Sequence, residues 1–185
     1  MASSSSMRAG PVLALAACAL FVAAAEAADP PPGRSVPSMG NDHIASPGAP
    51  HPPYNSDPPT SGPHVRWVAK WGAHTAPIPL EVQVHNLEDG GVVIQYNCSS
   101  APCPELIAKL EALLRHPDLL AMPQAMIEHG AEKFLRLIVA PYPTMKAKIA
   151  LTAWGRIETL EHYDQARILQ FIKAYIGIDH HPASE

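Results

Sequence analysis

The sequence predicts an α+β fold. It would be one compact domain with helices packed on a small mixed sheet, in the order β-α-β-β-α, preceded by a Pro-rich extended segment. Three observations lead there. Stretches such as "EVQV" and "GVVIQY" carry the β-branched residues that favour strands. Two other stretches space large apolar residues three and four apart, the period of a buried helix face. The two kinds of stretch alternate at short intervals, which implies helices laid on a sheet.

Taken in order, "EVQV" from Glu81 and "GVVIQY" from Gly91 read as the first strands. "PELIAKLEALLRH" places Leu106, Ile107, Leu110, Leu113 and Leu114 on one helical face, and Pro104 suits its first turn. Residues 119–133 are read as adding a short helix. "FLRLIVA" reads as a buried strand. "KIALTAWGRIETL" reads as one long strand with Gly155 at a bulge, beside which Trp154 would pack in the core. "DQARILQFIKAYIG" closes the domain as a helix. Its stripe is Ile168, Phe171, Ile172, Tyr175 and Ile176, with Asp164 as the cap at its start and Gly177 at its end.

The N-terminus reads as a secretory signal. Arg8 precedes the apolar "GPVLALAACALFVAAA", and "AEA" supplies a small-x-small cleavage site before Ala28. Met7 is an alternative start. "LAAC" leaves open a lipid anchor at Cys18, but the apolar run continues past Cys18, which favours cleavage. Thirteen of the 21 prolines lie between Pro30 and Pro79. The expected layout is therefore a signal peptide (1–27), a disordered Pro-rich tether (28–53), a folded domain (54–179) and a tail (180–185). A formal net charge of −4 without basic blocks argues against nucleic acid as a partner. No apolar run after the signal is long enough to span a bilayer. The expected location is the periplasm or the exterior, or a lipid anchor at Cys18.

Four ordered stretches carry a family resemblance: "YNSDPPTSGPH" (Tyr54 to His64), "VHNLEDGGVVIQY", "APYP" and "IALTAWGRIETL" followed by "DQARILQFI". Together they resemble the bacterial family numbered 3105 among the domains of unknown function, over roughly Tyr54 to Gly177. The resemblance implies an exported or membrane-tethered bacterial domain and supplies no activity. The chain departs from the family at Asp89, where many members carry a histidine.

The chemistry must come from the residues. Ten histidines is a rich count. His64 ends the Pro-rich loop, and His85 is followed by Glu88 and Asp89. Imidazoles with carboxylates suit zinc, copper or iron. A proline-stiffened loop could fold back so that His64 meets His85, with Glu88 the nearest carboxylate and Asp89 standing in for the family's histidine. The blander reading is that the loop covers a sheet edge and His64 hydrogen-bonds to backbone. Trp67 and Trp71 flank His64 and could wall a shallow pocket.

Cys98 and Cys103 remain after export. An even count in an oxidising compartment favours a disulfide, against a redox dithiol activated by a helix N-terminus. Met122, Met126 and His129 would share one helical face, either as soft Cu(I) ligands or as core filler. No nucleophile elbow or phosphate-binding glycine loop occurs. The leading reading is an exported protein handling copper or zinc, as an accessory or envelope protein. The alternatives are a metal-dependent hydrolase, a thiol–disulfide enzyme, or a structural partner in an envelope complex. A metal ion or an envelope protein is the expected partner.

Overall fold

A computed structural model of the chain describes residues 1, 30–129 and 131–181. Residues from Pro31 onward form one unit, the larger of two, and are separate from Met1–Pro30. The expected signal and Cys18 lie outside the described residues. Among the described residues no helix is long and apolar enough to cross a membrane.

The larger unit is α+β. Its strands are β1 (Arg34–Ser35), β2 (Gly72–Ala73), β3 (Val92–Tyr96), β4 (Met126–His129), β5 (Glu132–Leu135), β6 (Leu137–Pro141), β7 (Ile149–Ala153) and β8 (Arg156–Leu160). Its α-helices are α1 (Leu80–Glu88), α2 (Pro104–Ala112), α3 (Pro117–Leu120) and α4 (Gln165–Tyr175). Six strands form a mixed sheet in the order β1-β8-β7-β3-β6-β2, and β4 and β5 form a separate antiparallel pair. β3 runs parallel to β6 and antiparallel to β7.

Both faces of β3 are covered, which is why its sequence is apolar with little alternation. Val92, Ile94 and Tyr96 join a cluster with Leu110 of α2 and Ile168, Phe171 and Ile172 of α4. Val93 joins Ile138, Ala140 and Leu87 of α1 in a second cluster. Each fully buried Phe or Ile side chain stabilises the fold by about 1.5–3 kcal/mol. The amide of Gln95 donates to Gln83 of α1 (3.0 Å). Asp164 caps α4 as expected, its carboxylate accepting from the Arg167 amide at 3.1 Å.

Several sequence expectations are corrected. "EVQV" is not a strand but part of α1. β-branched residues disfavour helix by a fraction of 1 kcal/mol each. Burying Val84 and Leu87, one helical turn apart, outweighs that. "KIALTAWGRIETL" is not one strand but the hairpin β7–β8, with Ala153 paired to Arg156. Gly155, at φ +65°, reverses the chain there. "FLRLIVA" spans β5 and β6, separated at Arg136. The Arg136 amide donates to the Ala125 carbonyl and its carbonyl accepts from Val92. Residues 119–133 pass through the end of α3, a 3₁₀ turn at Pro123–Ala125, and β4. Met122, Met126 and His129 therefore share no helical face, and the Cu(I) reading fails.

The Pro-rich segment expected to be a disordered tether is ordered from about Pro31 onward. β1 pairs with β8 at the sheet edge, and Val36 is buried. Gly62 donates to the Gly40 carbonyl, His64 to Asp42, and Ile44 to His64 (2.8–2.9 Å). Pairing with chain already in the fold satisfies the backbone groups, and proline lowers the entropy lost in doing so. At the other end the domain does not stop at 179, because the His180 amide donates to the Glu88 carbonyl at 2.9 Å.

Candidate metal centre

Four separate stretches meet at the C-terminal end of α1. The helix presents His85 and Glu88 one turn apart, on one side. Asp89 follows as its cap, and Gly90 then takes φ +77° to turn the chain into β3. Gly91 must also be glycine: a Cβ there would run into the Asn86 carbonyl and the Trp71 ring. The Pro-rich loop delivers His64. Residues 40–44 run parallel to 62–64 and bring His43 beside it. The chain after α4 crosses Gly90, whose amide neighbourhood it enters through a bond from Gly177 N–H to the Gly90 carbonyl (2.7 Å), and delivers Asp179, His180 and His181.

The ring orientations are set by backbone. His64 Nδ1 lies 2.8 Å from the Gly62 carbonyl, and His85 Nδ1 lies 2.6 Å from the Val65 carbonyl. A carbonyl only accepts, so both Nδ1 atoms carry the proton. The lone pair of each neutral ring is then on Nε2. His64 Nε2 is 2.9 Å from Glu88 Oε2, a hydrogen-bond distance between two buried side chains, so a proton lies between them where no cation does. His85 Nε2 is 3.6 Å from Asp89 Oδ1. His181 repeats the pattern with a carboxylate: its Nδ1 is 2.8 Å from Asp179 Oδ1, and its Nε2 lies 3.4 Å from Glu88 Oε2 and 3.6 Å from Asp89 Oδ1. The His64 and His85 rings meet edge-on at 5.1 Å, and His43 sits 4.9 Å from His64. Trp154 closes the group, 6.2 Å from His64 and stacked on His180 at 5.9 Å.

Among the described residues two donor sets result. One atom each from His43, His64, His85 and Glu88 lie within 4.8 Å of one another, and so do one each from His85, Asp89 and His181. Of the residues singled out from sequence, His64, His85 and Glu88 share the first set. Asp89 belongs to the second, with His181. Burial pushes the Asp89 carboxyl up, against the pull of His85, His181 and Arg136. Burial, followed by the charge of His64, holds His43 below the ordinary histidine value. His181 is shifted upward: burial opposes this, but the hydrogen bond to Asp179 and the nearby Glu88 outweigh it. A cation among these groups would relieve the resistance of Asp89 to its charge.

Sequence reasoning missed His43 and His181, having assigned them to a tether and a tail. A signal was present: Asp42-His43, Glu88-Asp89 after His85, and Asp179-His180-His181 each pair imidazole with carboxylate. Trp71, with Val68, Ile127 and Phe134, walls a cavity of about 550 Å³ that also touches Asp89, whereas Trp67 is half exposed and takes no part. Trp154 is only partly buried and packs on the second cluster.

Cys98 and Cys103 form a disulfide, with Cα atoms 5.8 Å apart. It ties the end of β3 to Cys103, the residue before Pro104 at the start of α2. Cys103 also borders an open cleft with Lys109, Lys148 and His162.

A family model described as "Protein of unknown function (DUF3105)" matches residues 51–185. The chain belongs to the DUF3105 family. The span shared with the DUF3105 model takes in His64, His85, Glu88, Asp89, His181 and the disulfide, and leaves out His43 and β1. No curated protein and no solved structure matches the chain.

Proposed function

We propose that this DUF3105 protein is exported and binds one zinc or copper(II) ion through His64, His85 and Glu88, with His43 completing the set. It acts as a metal-binding accessory or envelope protein and not as an enzyme. The anchoring of Nδ1 in both His64 and His85 carries this reading. Metal-ligating histidines typically donate their other ring N–H to a carbonyl or carboxylate, which aims the free lone pair at the ion. The donors are nitrogen and oxygen, the types that zinc and copper(II) accept. Tetrahedral zinc, with bonds of about 2.0–2.1 Å, spaces its ligands at about 3.4 Å. The His64–Glu88 separation of 2.9 Å is a hydrogen-bond distance, which would open by about 0.5 Å with an ion in the proton's place. Four protein donors suit a site that holds an ion, since a catalytic site keeps a position open.

Export is supported by the signal-like N-terminus and by a disulfide, which persists in oxidising compartments. The test is metal analysis of the protein recovered from its own compartment, with N-terminal sequencing. About one zinc or copper per chain and a mature terminus reading "ADPPPG" are expected. A metal-free protein whose melting temperature responds to neither Zn²⁺ nor Cu²⁺ refutes the metal reading. A lipid-modified Cys18 replaces a cleaved, soluble form with an anchored one.

One observation favours a second reading. The apolar cavity beside Asp89 could seat an organic substrate next to an ion held on the Asp89 side. That would make the chain a metal-dependent hydrolase. Turnover of ester, amide or phosphoester probes by the metal-loaded protein, absent from the Asp89→Ala variant, would favour it.

A further inference from the structure

The two donor sets overlap at His85. Its Nδ1 is committed to the Val65 carbonyl, so only Nε2 can meet a cation. One lone pair cannot serve two ions. Glu88 sits between the sets as well, with Oε2 2.9 Å from His64 Nε2 and 3.4 Å from His181 Nε2. The sets differ in depth. The His64 and Glu88 side chains are 0% and 1% exposed, whereas those of Asp89 and His181 are 20% and 43% exposed. His43, the exposed member of the first set, has its ring 4.9 Å from that of His64 and 5.7 Å from that of His85.

We infer that these are two positions for a single ion. The inner position, His43, His64, His85 and Glu88, retains it. The outer position, His85, Asp89 and His181, is where it is taken up and handed on. Because His85 and Glu88 reach both, the ion can move between them without losing every protein ligand, so no bare cation crosses the low-dielectric interior. Asp179 is a positioning residue: by accepting from His181 Nδ1 it turns Nε2 toward Glu88 and Asp89. The chain thereby becomes a donor of metal to an acceptor and not merely a store. This inference rests on the metal reading above.

The experiment loads the mature chain with Zn²⁺, or with Cu²⁺ if only copper is retained, and follows transfer to excess 4-(2-pyridylazo)resorcinol by absorbance. Wild type should bind one ion per chain. His181→Ala should keep that stoichiometry and an affinity within about threefold, yet release the ion at least tenfold more slowly. Asp89→Asn, which preserves shape, should behave likewise. His64→Ala should fail to retain the ion. Melting curves of each variant establish that it is folded. The inference is overturned if wild type binds two ions, if His181→Ala weakens affinity as much as His64→Ala, or if release from both outer variants is unchanged. Those outcomes leave metal binding by these histidines standing, with two ions in place of one in the first case. A wild type that binds neither ion overturns both.

Discussion

The two ends of β3 hold the two chemically distinctive features of this protein, and they are built differently. At the Gly91 end, polar side chains from four distant stretches converge, and two of them, His64 and Glu88, are fully buried. At the other end, Cys98 and Cys103 are only five residues apart and partly buried, and Cys103 borders an open cleft. About seven residues of extended chain, on the order of 20 Å, separate them. The disulfide needs only a local turn and acts largely on the unfolded chain. The histidine cluster exists only when the domain is folded, and its buried polar groups cost stability unless they are satisfied. The local feature is therefore expected to be supportive, and the converging one to be functional.

The largest effect that could break this contrast is at His64. His64→Ala removes the partner of a buried Glu88 and the ring that bonds to Gly62. It should cost about 3–5 kcal/mol in urea unfolding and should abolish any metal-dependent rise in melting temperature. An unchanged metal response would move the ion elsewhere. Chelation is next: at a free-metal level a hundred times Kd, removing metal should cost about 2.7 kcal/mol. For a domain of this size that is about 5–10 °C by calorimetry. No shift after complete metal removal would make the histidines purely structural.

The disulfide should matter less. Replacing both Cys98 and Cys103 with Ser should lower stability by about 2 kcal/mol, as expected for so short a loop, and leave metal stoichiometry unchanged. Loss of metal binding would couple the two ends. Loss of function at intact stability would favour thiol–disulfide chemistry at Cys103. The smallest effect is a control away from both ends. Asp164→Ala removes the α4 cap at a cost of about 1 kcal/mol and should alter neither metal content nor thiol state.

Local pattern was enough for β3, α2 and α4 and for the α+β class. Their apolar periods, the proline opening α2 and the Asp164 cap act over a few residues, so they are legible without the fold. α1 departs from the strand reading because valines favour strands locally, while Val84 and Leu87 gain more by burial, Leu87 beside Val93 of β3. The β7–β8 hairpin was misread because one glycine at φ +65° turns an apparently continuous strand. The pairing of Cys98 with Cys103 could be anticipated from spacing and the expected export. So could the interest of His64, His85, Glu88 and Asp89, from their residue types. Which of these meet, and with what, could not. His43 joins because a Pro-rich segment pairs with the loop at His64, and His181 joins because the chain after α4 folds back over Gly90. Those contacts span 21 and about 90 residues of sequence. No local propensity encodes such separations, because the free energy that closes them comes from backbone hydrogen bonds and burial available only once the sheet has formed.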